Sequence, residues 1–232
     1  MKALCFNLIR EKERIPIDFS VNKMVNAGFA GRNQNSVSKH IEELKKEGVP
    51  TPEYTPTIYP VSPYMITQDS TIHVLDERTS GEAEFVLMIN DNKVYVSVGS
   101  DHTDRDLEKT NISKSKQICP NIISKEIWLL EDIQDIWDQL LLRSWVIAGK
   151  ERKLYQEARL SALLTPESLM NFVKSKLKDN SMHGLSIYSG TVSVLSGKII
   201  FGEGFEVELL NPINQMRLTC SYEIHIMDFL EG

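Results

Sequence analysis

Two glutamates occupy alternate positions in a strand-like segment of the chain. Glu82 and Glu84 flank Ala83, and residues two apart in a strand project from the same face of a sheet. Paired carboxylate oxygens of this kind suit a hard divalent cation. An amphipathic strand with an acidic solvent face would show the same pattern, so the pair by itself leaves both interpretations open.

A second acidic segment follows the next predicted strand. It has the sequence SDHTDRD over residues 100–106, directly after apolar residues that would pair with the strand of Glu82. A hairpin of these two strands would bring Asp101 back beside the glutamates. Three carboxylates with open coordination positions would suit Mg²⁺ or Mn²⁺ that also binds substrate oxygens. A charged helix start capped by Asp101 or Thr103 explains the segment equally well.

The two segments, in this order, resemble the metal-binding signature of the fumarylacetoacetate hydrolase superfamily. That signature is a Glu-x-Glu-Leu strand followed by an Asn-Asp-x-Ser/Thr-x-Arg-Asp segment. The resemblance implies that Glu82, Glu84 and Asp101 are the ligands of a Mg²⁺ or Mn²⁺ ion. It also implies that Asp106 is the partner of Arg105.

Three more residues match motifs of the same superfamily further along the chain. Lys116 resembles the lysine that lies beside metal and substrate, with Lys114 as the alternative. Gln156 resembles the glutamine of an Arg-Gln-Glu segment, which implies a substrate contact. Thr191 resembles the second threonine of a Thr-Gly-Thr turn, which implies that it binds the substrate carboxylate. Val192 departs from the motif, because a proline usually follows that turn.

The N-terminal part resembles the lid of these enzymes. Arg32 lies in a Gly-Arg-Asn segment like the Gly-Arg-Asn-Tyr of the superfamily, although Gln34 replaces the tyrosine. The resemblance implies that Arg32 binds a distal carboxylate of the substrate. His40 and Glu43 reproduce its His-x-x-Glu, and their spacing puts them on one helical face as a catalytic base and its orienting acid. Surface helices often carry the same pair without a function.

The elements that must position these residues are mostly strands. An early hairpin is predicted from residues 3–9 and 15–19, and a helix from Asn35 to Gly48. Five prolines make residues 50–63 an extended connector. Further helices are predicted over residues 126–142 and 166–177. Further strands are predicted over residues 71–75, 83–89, 93–98, 144–148, 186–194, 198–201, 205–210 and 217–226.

The fold class follows from this pattern and from the resemblance. A mainly β (α+β) chain is expected, with the fumarylacetoacetate hydrolase-like roll of mixed β-sheets in a sandwich and a small N-terminal lid region. Residues 1–66 would form the N-terminal strands, lid helix and proline-rich connector. Residues 67–232 would form the catalytic β-roll.

Composition narrows the class of partners and the compartment. A net charge of −6 argues against nucleic acid as a partner, because binding to phosphates requires clustered Lys and Arg. The sequence lacks an eighteen-residue apolar run and a signal-peptide pattern, so no membrane partner is expected. Three widely spaced cysteines favour a reducing cytoplasm. A homodimer is also predicted, with Trp128, Trp137 and Trp145 as candidates for its interface or for the core.

The resemblance implies an enzyme with a small 2-oxo acid as substrate. The expected activity is that of a metal-dependent hydrolase or lyase, with an acylpyruvate-like substrate and a metal-stabilised enolate. Carbon–carbon hydrolysis, decarboxylation, hydration, dehydration and isomerisation all pass through such an enolate, so the reaction itself stays open. The alternative is a catalytically silent metal- or ligand-binding protein of the same fold.

Overall fold

The structure is a computed structural model that describes residues 1–11, 13–46, 51, 52, 54–90 and 93–230, without the side chains of residues 40 and 43–46. Strands are more extensive than helices in this structure. In chain order they are β1 (Lys2–Arg10), β2 (Glu13–Val21), β3 (Lys23–Gly28), β4 (Thr57–Val61), β5 (Ile66–Thr67), β6 (Thr71–Val74), β7 (Thr79–Ser80), β8 (Ala83–Asn90), β9 (Lys93–Asp101), β10 (Thr103–Asp104), β11 (Asn121–Ile123), β12 (Glu126–Leu129), β13 (Leu141–Ala148), β14 (Glu151–Arg159), β15 (Leu185–Tyr188), β16 (Gly204–Leu210) and β17 (Arg217–Ile226).

Short helices connect these strands. The α-helices are α1 (Gln34–Lys46), α2 (Arg105–Glu108), α3 (Ile112–Ile118), α4 (Leu130–Ile133) and α5 (Pro166–Lys176), and 3₁₀ turns cover Pro63–Met65, Gln134–Gln139 and Leu160–Ala162. Within the described residues, no helix combines the length and the apolar character that a membrane span requires.

The described part of the chain forms two large sheets and a two-stranded one, in which β7 pairs with β10. The larger runs in the order β2-β1-β12-β9-β8-β15-β3-β4, with β11 between β9 and β5, and the smaller runs β14-β13-β16-β17-β6. Alternate residues of β8 face opposite sides. Phe85 and Leu87 pack against Val207 and Leu209 of the smaller sheet, in the main core. The predicted class, mainly β with mixed sheets in a sandwich, is therefore confirmed.

The other face of β8 has a core of its own. Val86 and Met88 pack there with Phe19 of β2 and Val61 of β4, although β2 and β4 stand at opposite ends of the larger sheet. The sheet must therefore curl until its two edges approach the same apolar cluster. Glu84 points to this inner side, because it alternates with Phe85. The curl thus supplies a buried interior, and Glu84 lies at one end of it.

Several predicted elements are confirmed. The early hairpin is β1 and β2, paired from Lys2 with Val21 to Arg10 with Glu13. The central hairpin is β8 and β9, and its predicted turn at residues 91 and 92 lies outside the described residues. The predicted helices at residues 35–48 and 166–177 correspond to α1 and α5, and the end predicted at Gly48 also lies outside the described residues.

Other elements differ from the prediction. The helix predicted over residues 126–142 is confirmed only for residues 130–139, as α4 and the 3₁₀ turn that follows it. Residues 126–129 form β12 instead, because an apolar run buried on both faces has no period that separates strand from helix. The strand predicted over 186–194 ends at Tyr188, where a turn with Gly190 at φ +82° follows. Residues 198–201 form no strand. The connector contains β4, in which Pro60 is tolerated because β4 is an edge strand.

The division into residues 1–66 and 67–232 stays a prediction. Strands from both parts share the larger sheet, since β1 pairs with β12 and β3 pairs with β15. Of the tryptophans predicted for a dimer interface or for the core, Trp128 and Trp137 are buried in the core. Trp145 is only partly covered, and the guanidinium of Arg152 lies 3.9 Å from its ring.

Gly99 lets the strands around Glu84 approach closely. It pairs with Glu84, and a Cβ atom at Gly99 would collide with the backbone oxygen of Ile122 and lie 3.1 Å from the ring of Tyr188. We therefore expect Gly99→Ala to lower the free energy of unfolding by roughly 1–3 kcal/mol, the usual cost of overpacking. Urea unfolding measures this change. An unchanged midpoint would contradict the prediction, because it would show that the neighbouring strand shifts without a loss of stability.

Candidate metal centre

The β8–β9 hairpin brings three carboxylates together. Ala83 pairs with Ser100, and the Asp101 amide donates a hydrogen bond of 3.1 Å to the backbone oxygen of Glu82. Glu82, Glu84 and Asp101 each offer an oxygen within 4.8 Å of the others. Glu84 and Asp101 are fully buried and the Glu82 side chain is only 16% exposed. An acidic solvent face is therefore excluded as the reason for this pattern.

The helix start after β9 uses a different residue from those predicted. Asp104 caps α2, and its side chain accepts hydrogen bonds from the backbone amides of Asp106 and Leu107. Asp101 lies on β9, before the cap, and its carboxylate points away to the buried interior. The interpretation of Asp101 or Thr103 as the capping residue is therefore wrong.

Helix α3 adds an ammonium group to the three carboxylates. The Lys116 Nζ contacts the Asp101 carboxylate and lies 3.4 Å from Glu82 Oε2. Its side chain is 5% exposed, whereas Lys114 on the same helix is exposed to solvent. The side chain of Asn111 caps this helix by accepting from the Lys114 amide at 3.0 Å. Of the two candidate lysines, the structure thus brings Lys116 to the carboxylates.

Arg105 borders the site on the side of Glu82. Its guanidinium donates to Glu82 Oε1 at 3.0 Å and to Glu108 at 2.8 Å, and it also donates to Ser80 Oγ. The implied pairing of Arg105 with Asp106 is wrong. Asp106 is the second residue of a short helix and points outward, where it accepts hydrogen bonds of 2.6 Å from Arg78 and from Lys109.

These contacts shift the pKa values of the three carboxyl groups in different directions. Burial and the negative charge of Asp101 hold the pKa of Glu84 well above its usual range. Burial also raises the pKa of Asp101, against the ammonium of Lys116. Burial alone would raise the pKa of Glu82, but Arg105 and Lys116 outweigh it and lower that pKa to about 2. The carboxylates in turn raise the pKa of Lys116, despite its burial.

The donor set fits a hard divalent cation. Three carboxylates and one ammonium leave two negative charges when all are ionised, and a dication would neutralise them. Glu84 Oε2 accepts a hydrogen bond from the Gly190 amide at 2.9 Å, whereas its Oε1 is buried without a partner. Buried carboxylate oxygens nearly always have a partner, so this unpaired oxygen is consistent with a ligand position.

The turn after β15 lies against Glu84. Thr191 Oγ1 donates to the Ala83 backbone oxygen at 2.8 Å and accepts from Gln156 Nε2 at 2.8 Å. Gln156 also donates to the Val192 oxygen, and its own oxygen accepts from the Ala83 amide and from Ser144. All four hydrogen bonds available to the Gln156 amide are therefore made inside the protein. A substrate contact by Gln156 would require one of them to open.

The remaining candidates lie in the N-terminal part. Arg32 donates to Asp138 at 2.7 Å and to the Leu163 backbone oxygen at 2.9 Å, so its guanidinium is held against the segment between β12 and α5. His40 and Glu43 belong to α1 by their backbone, but their side chains lie outside the described residues. Their roles as base and orienting acid stay predictions.

A buried network that sequence reasoning missed supports Glu82 from the other face of β9. The Glu82 amide donates to Ser100 Oγ at 3.1 Å, and Ser100 shares a hydrogen bond of 2.8 Å with the Tyr222 hydroxyl. That hydroxyl also lies 3.0 Å from Nδ1 of His102. Burial and the charge of Arg105 lower the pKa of His102 to about 3, so its ring is neutral. Nothing local in the sequence links Tyr222 on β17 to residues 120 positions earlier.

Solved structures with a similar fold include proteins named as a dehydratase and as an isomerase. One is "2-keto-3-deoxy-D-arabinonate dehydratase complexed with magnesium and 2,5-dioxopentanoate", with a TM-score of 0.63 and 16% identity over 93% of this chain and 86% of that one. Another is 5-carboxymethyl-2-hydroxymuconate delta-isomerase from Mycobacterium smegmatis, with a TM-score of 0.62 and 15% identity over 95% and 86%. At these identities the likeness concerns the fold.

Sequence comparison identifies the family of the chain. No curated protein matches the chain significantly. A family model described as "Protein of unknown function (DUF2848)" matches residues 27–222. Because this match spans most of the 232 residues, the chain belongs to the DUF2848 family.

Proposed function

We propose that the protein is a divalent-metal-dependent enzyme of the fumarylacetoacetate hydrolase superfamily. It would act on a small 2-oxo acid, as a hydrolase or lyase on an acylpyruvate-like substrate. The observation that carries this proposal is the cluster of Glu82, Glu84 and Asp101 with the Lys116 ammonium at the end of a buried interior. Similar solved structures named as a dehydratase and an isomerase support an enzyme of this kind.

The residues at the site have distinct roles in this proposal. Glu82, Glu84 and Asp101 hold the cation, and Arg105 keeps Glu82 ionised. A bound Mg²⁺ or Mn²⁺ would supply a Lewis acid that stabilises the enolate of the substrate. Lys116 balances negative charge that develops on the substrate, because its ammonium already faces the carboxylates.

The periphery of the site would bind the rest of the substrate. Thr191 would bind the substrate carboxylate and Gln156 would contact the substrate, each by exchanging a hydrogen bond that it makes inside the protein. Arg32 would bind a distal carboxylate. His40, oriented by Glu43, would move a proton, since neutral imidazole accepts protons near neutral pH.

A catalytically silent binding protein is the second candidate. Two observations favour it: Val192 replaces a motif proline, and the amide of Gln156 is fully hydrogen-bonded within the protein. Tight metal binding without turnover of any substrate in a broad panel of 2-oxo acids would support this second function.

The proposed assembly is a cytoplasmic homodimer. The prediction of a dimer rests on the superfamily-like roll, and Trp145 is the remaining tryptophan candidate for its interface. Sedimentation equilibrium on the native chain tests it, and a monomer at all concentrations would contradict it.

Calorimetric titration of the native chain with Mg²⁺ and with Mn²⁺ tests the proposed function directly. We expect one ion to bind, and oxalate, which mimics the chelating end of a 2-oxo acid, to tighten the binding. A screen of acylpyruvates and related 2-oxo acids in the presence of the tighter ion then identifies the reaction. If neither ion binds, the metal-dependent enzyme is excluded.

Metal binding should release protons. The pKa of Glu84 and that of Asp101 are raised, so these carboxyls hold protons to higher pH than usual, and a cation requires them ionised. Affinity should therefore rise with pH and fall on acidification. Titrations at pH 6 in two buffers with different ionisation enthalpies measure the released protons. Equal observed heats in both buffers would contradict the prediction.

A further inference from the structure

Two side-chain amides share the sheet face that carries the metal centre. Asn121 of β11 pairs directly with Asp101. Asn26 of β3 pairs with Tyr188, and Tyr188 pairs with Val86, two residues from Glu84. Paired residues project to the same side of a sheet, and so do residues two apart in a strand. Both amides therefore point into the interior of the curl, where the carboxylates lie.

Both amides are completely buried and incompletely hydrogen-bonded. The oxygen of the Asn26 amide has no hydrogen-bond partner, and its nitrogen interacts with the Asp101 carboxylate. Asn121 donates to Asp101 Oδ1 at 3.3 Å, but its own oxygen has no partner. Together with Glu84 Oε1, three buried oxygens of three neighbouring residues lack partners. Native proteins rarely leave buried polar groups unpaired, so this concentration indicates a bound group.

The chemistry of the unpaired atoms indicates what that group contains. The oxygens of Asn26 and Asn121 are acceptors, so each requires a donor. The oxygens of a 2-oxo acid are acceptors and cannot satisfy them, and the ammonium of Lys116 is already bound to carboxylates. A hydroxyl group is a donor, and so is a water molecule on Mg²⁺, an ion that usually keeps several waters.

We propose that Asn26 and Asn121 hold an O–H group beside the cation, either a water of its coordination shell or a hydroxyl of the substrate. This inference rests on the proposed function and makes it more specific. If the hydroxyl is that of the substrate, the site selects a hydroxylated 2-oxo acid over its unsubstituted analogue. The two amides are then specificity-determining residues of the same centre.

Calorimetry on matched variants tests the proposal. Asn26→Leu and Asn121→Leu keep the side-chain size and remove the amide. Asn90→Leu is the control, because Asn90 also has a buried, unpaired oxygen but ends β8, about 20 Å along the strand from Glu84. Each chain is titrated first with Mg²⁺ alone, then at saturating Mg²⁺ with pyruvate and with 3-hydroxypyruvate, which differ by one hydroxyl. Circular dichroism verifies that each variant is folded.

Two results would support the proposal and identify the source of the O–H group. If the group is a metal-bound water, both amide variants bind Mg²⁺ roughly three- to tenfold more weakly and the control binds normally. If it is a substrate hydroxyl, Mg²⁺ binding is unchanged, and a native preference for 3-hydroxypyruvate over pyruvate is lost in both variants.

Unchanged Mg²⁺ affinity together with an unchanged ratio of the two ligand affinities in both variants would overturn the proposal. An equal loss in Asn90→Leu would also overturn it, because the effect would then come from general loosening of the sheet. Failure of the native chain to bind Mg²⁺ is a separate result, seen before any variant is compared, and it would reject the proposed function itself.

Discussion

Glu84→Gln should bind Mg²⁺ on the order of 100-fold more weakly than the native chain, or not at all. Loss of residues that merely orient metal ligands already costs about 10- to 100-fold, so loss of a ligand should cost at least as much. The glutamine keeps the size of the side chain, and its oxygen can still accept from the Gly190 amide. The fold should therefore survive, and calorimetry isolates the effect on the ion.

The metal-free variant should be at least as stable as the native chain. Burial raises the pKa of Glu84, which shows that its ionised form is disfavoured where it stands, and a neutral amide avoids that cost. Glu108→Gln is the matched control, because Glu108 contacts Arg105 but lies outside the triad. Native-like Mg²⁺ affinity in Glu84→Gln would show that Glu84 is not a metal ligand. Equal losses of Mg²⁺ affinity in Glu84→Gln and Glu108→Gln would indicate a general effect of charge.

The part of the site built by one hairpin could be predicted from the sequence. Glu84 and Asp101 lie on the paired strands β8 and β9, and Glu82 directly precedes β8, so their proximity follows from the length of each strand, the alternation of its side chains and the turn predicted between the strands. Which face is buried could not be derived in this way. That depends on the curl of the larger sheet, which brings the distant strands β2 and β4 to one core.

The positions of the residues that join the triad from other strands and from α3 could not be predicted from the sequence. Asn26 reaches the site through the parallel pairing of β3 with β15, whose register no turn specifies. Asn121 comes through β11, a strand of three residues that is too short to show a period. Lys114 and Lys116 differ only in their orientation on α3, since residues two apart on a helix point in different directions.

The errors in the predicted elements have a common cause. Residues 126–129 and 198–201 are rich in apolar side chains, and such runs are compatible with helix, strand or buried loop until their neighbours are known. In the first case pairing of Trp128 with Val96 makes a strand. Conversely β14 was missed because its charged residues interrupt any apolar pattern, although it pairs with β13 along its length.

The ammonium of Lys116 lies where it competes with a cation for the same carboxylates. It contacts Asp101 and lies 3.4 Å from Glu82. Removing one partner of a buried ion pair commonly costs about 3–5 kcal/mol, since a charge is left uncompensated. We therefore expect the metal-free Lys116→Met chain to lose about that much stability, with a clearly lower Tm.

Mg²⁺ should reverse most of this loss. A dication replaces the missing positive charge, and it no longer has to share Asp101 with an ammonium, so binding should be tighter in Lys116→Met than in the native chain. Thermal unfolding with increasing Mg²⁺ measures this as a larger rise in Tm for the variant. Lys114→Met is the control, since Lys114 is exposed on the same helix and should change neither quantity. An equal rise in Tm for all three chains would show that Lys116 and the ion occupy independent positions, and the lysine would then have to act on the substrate alone.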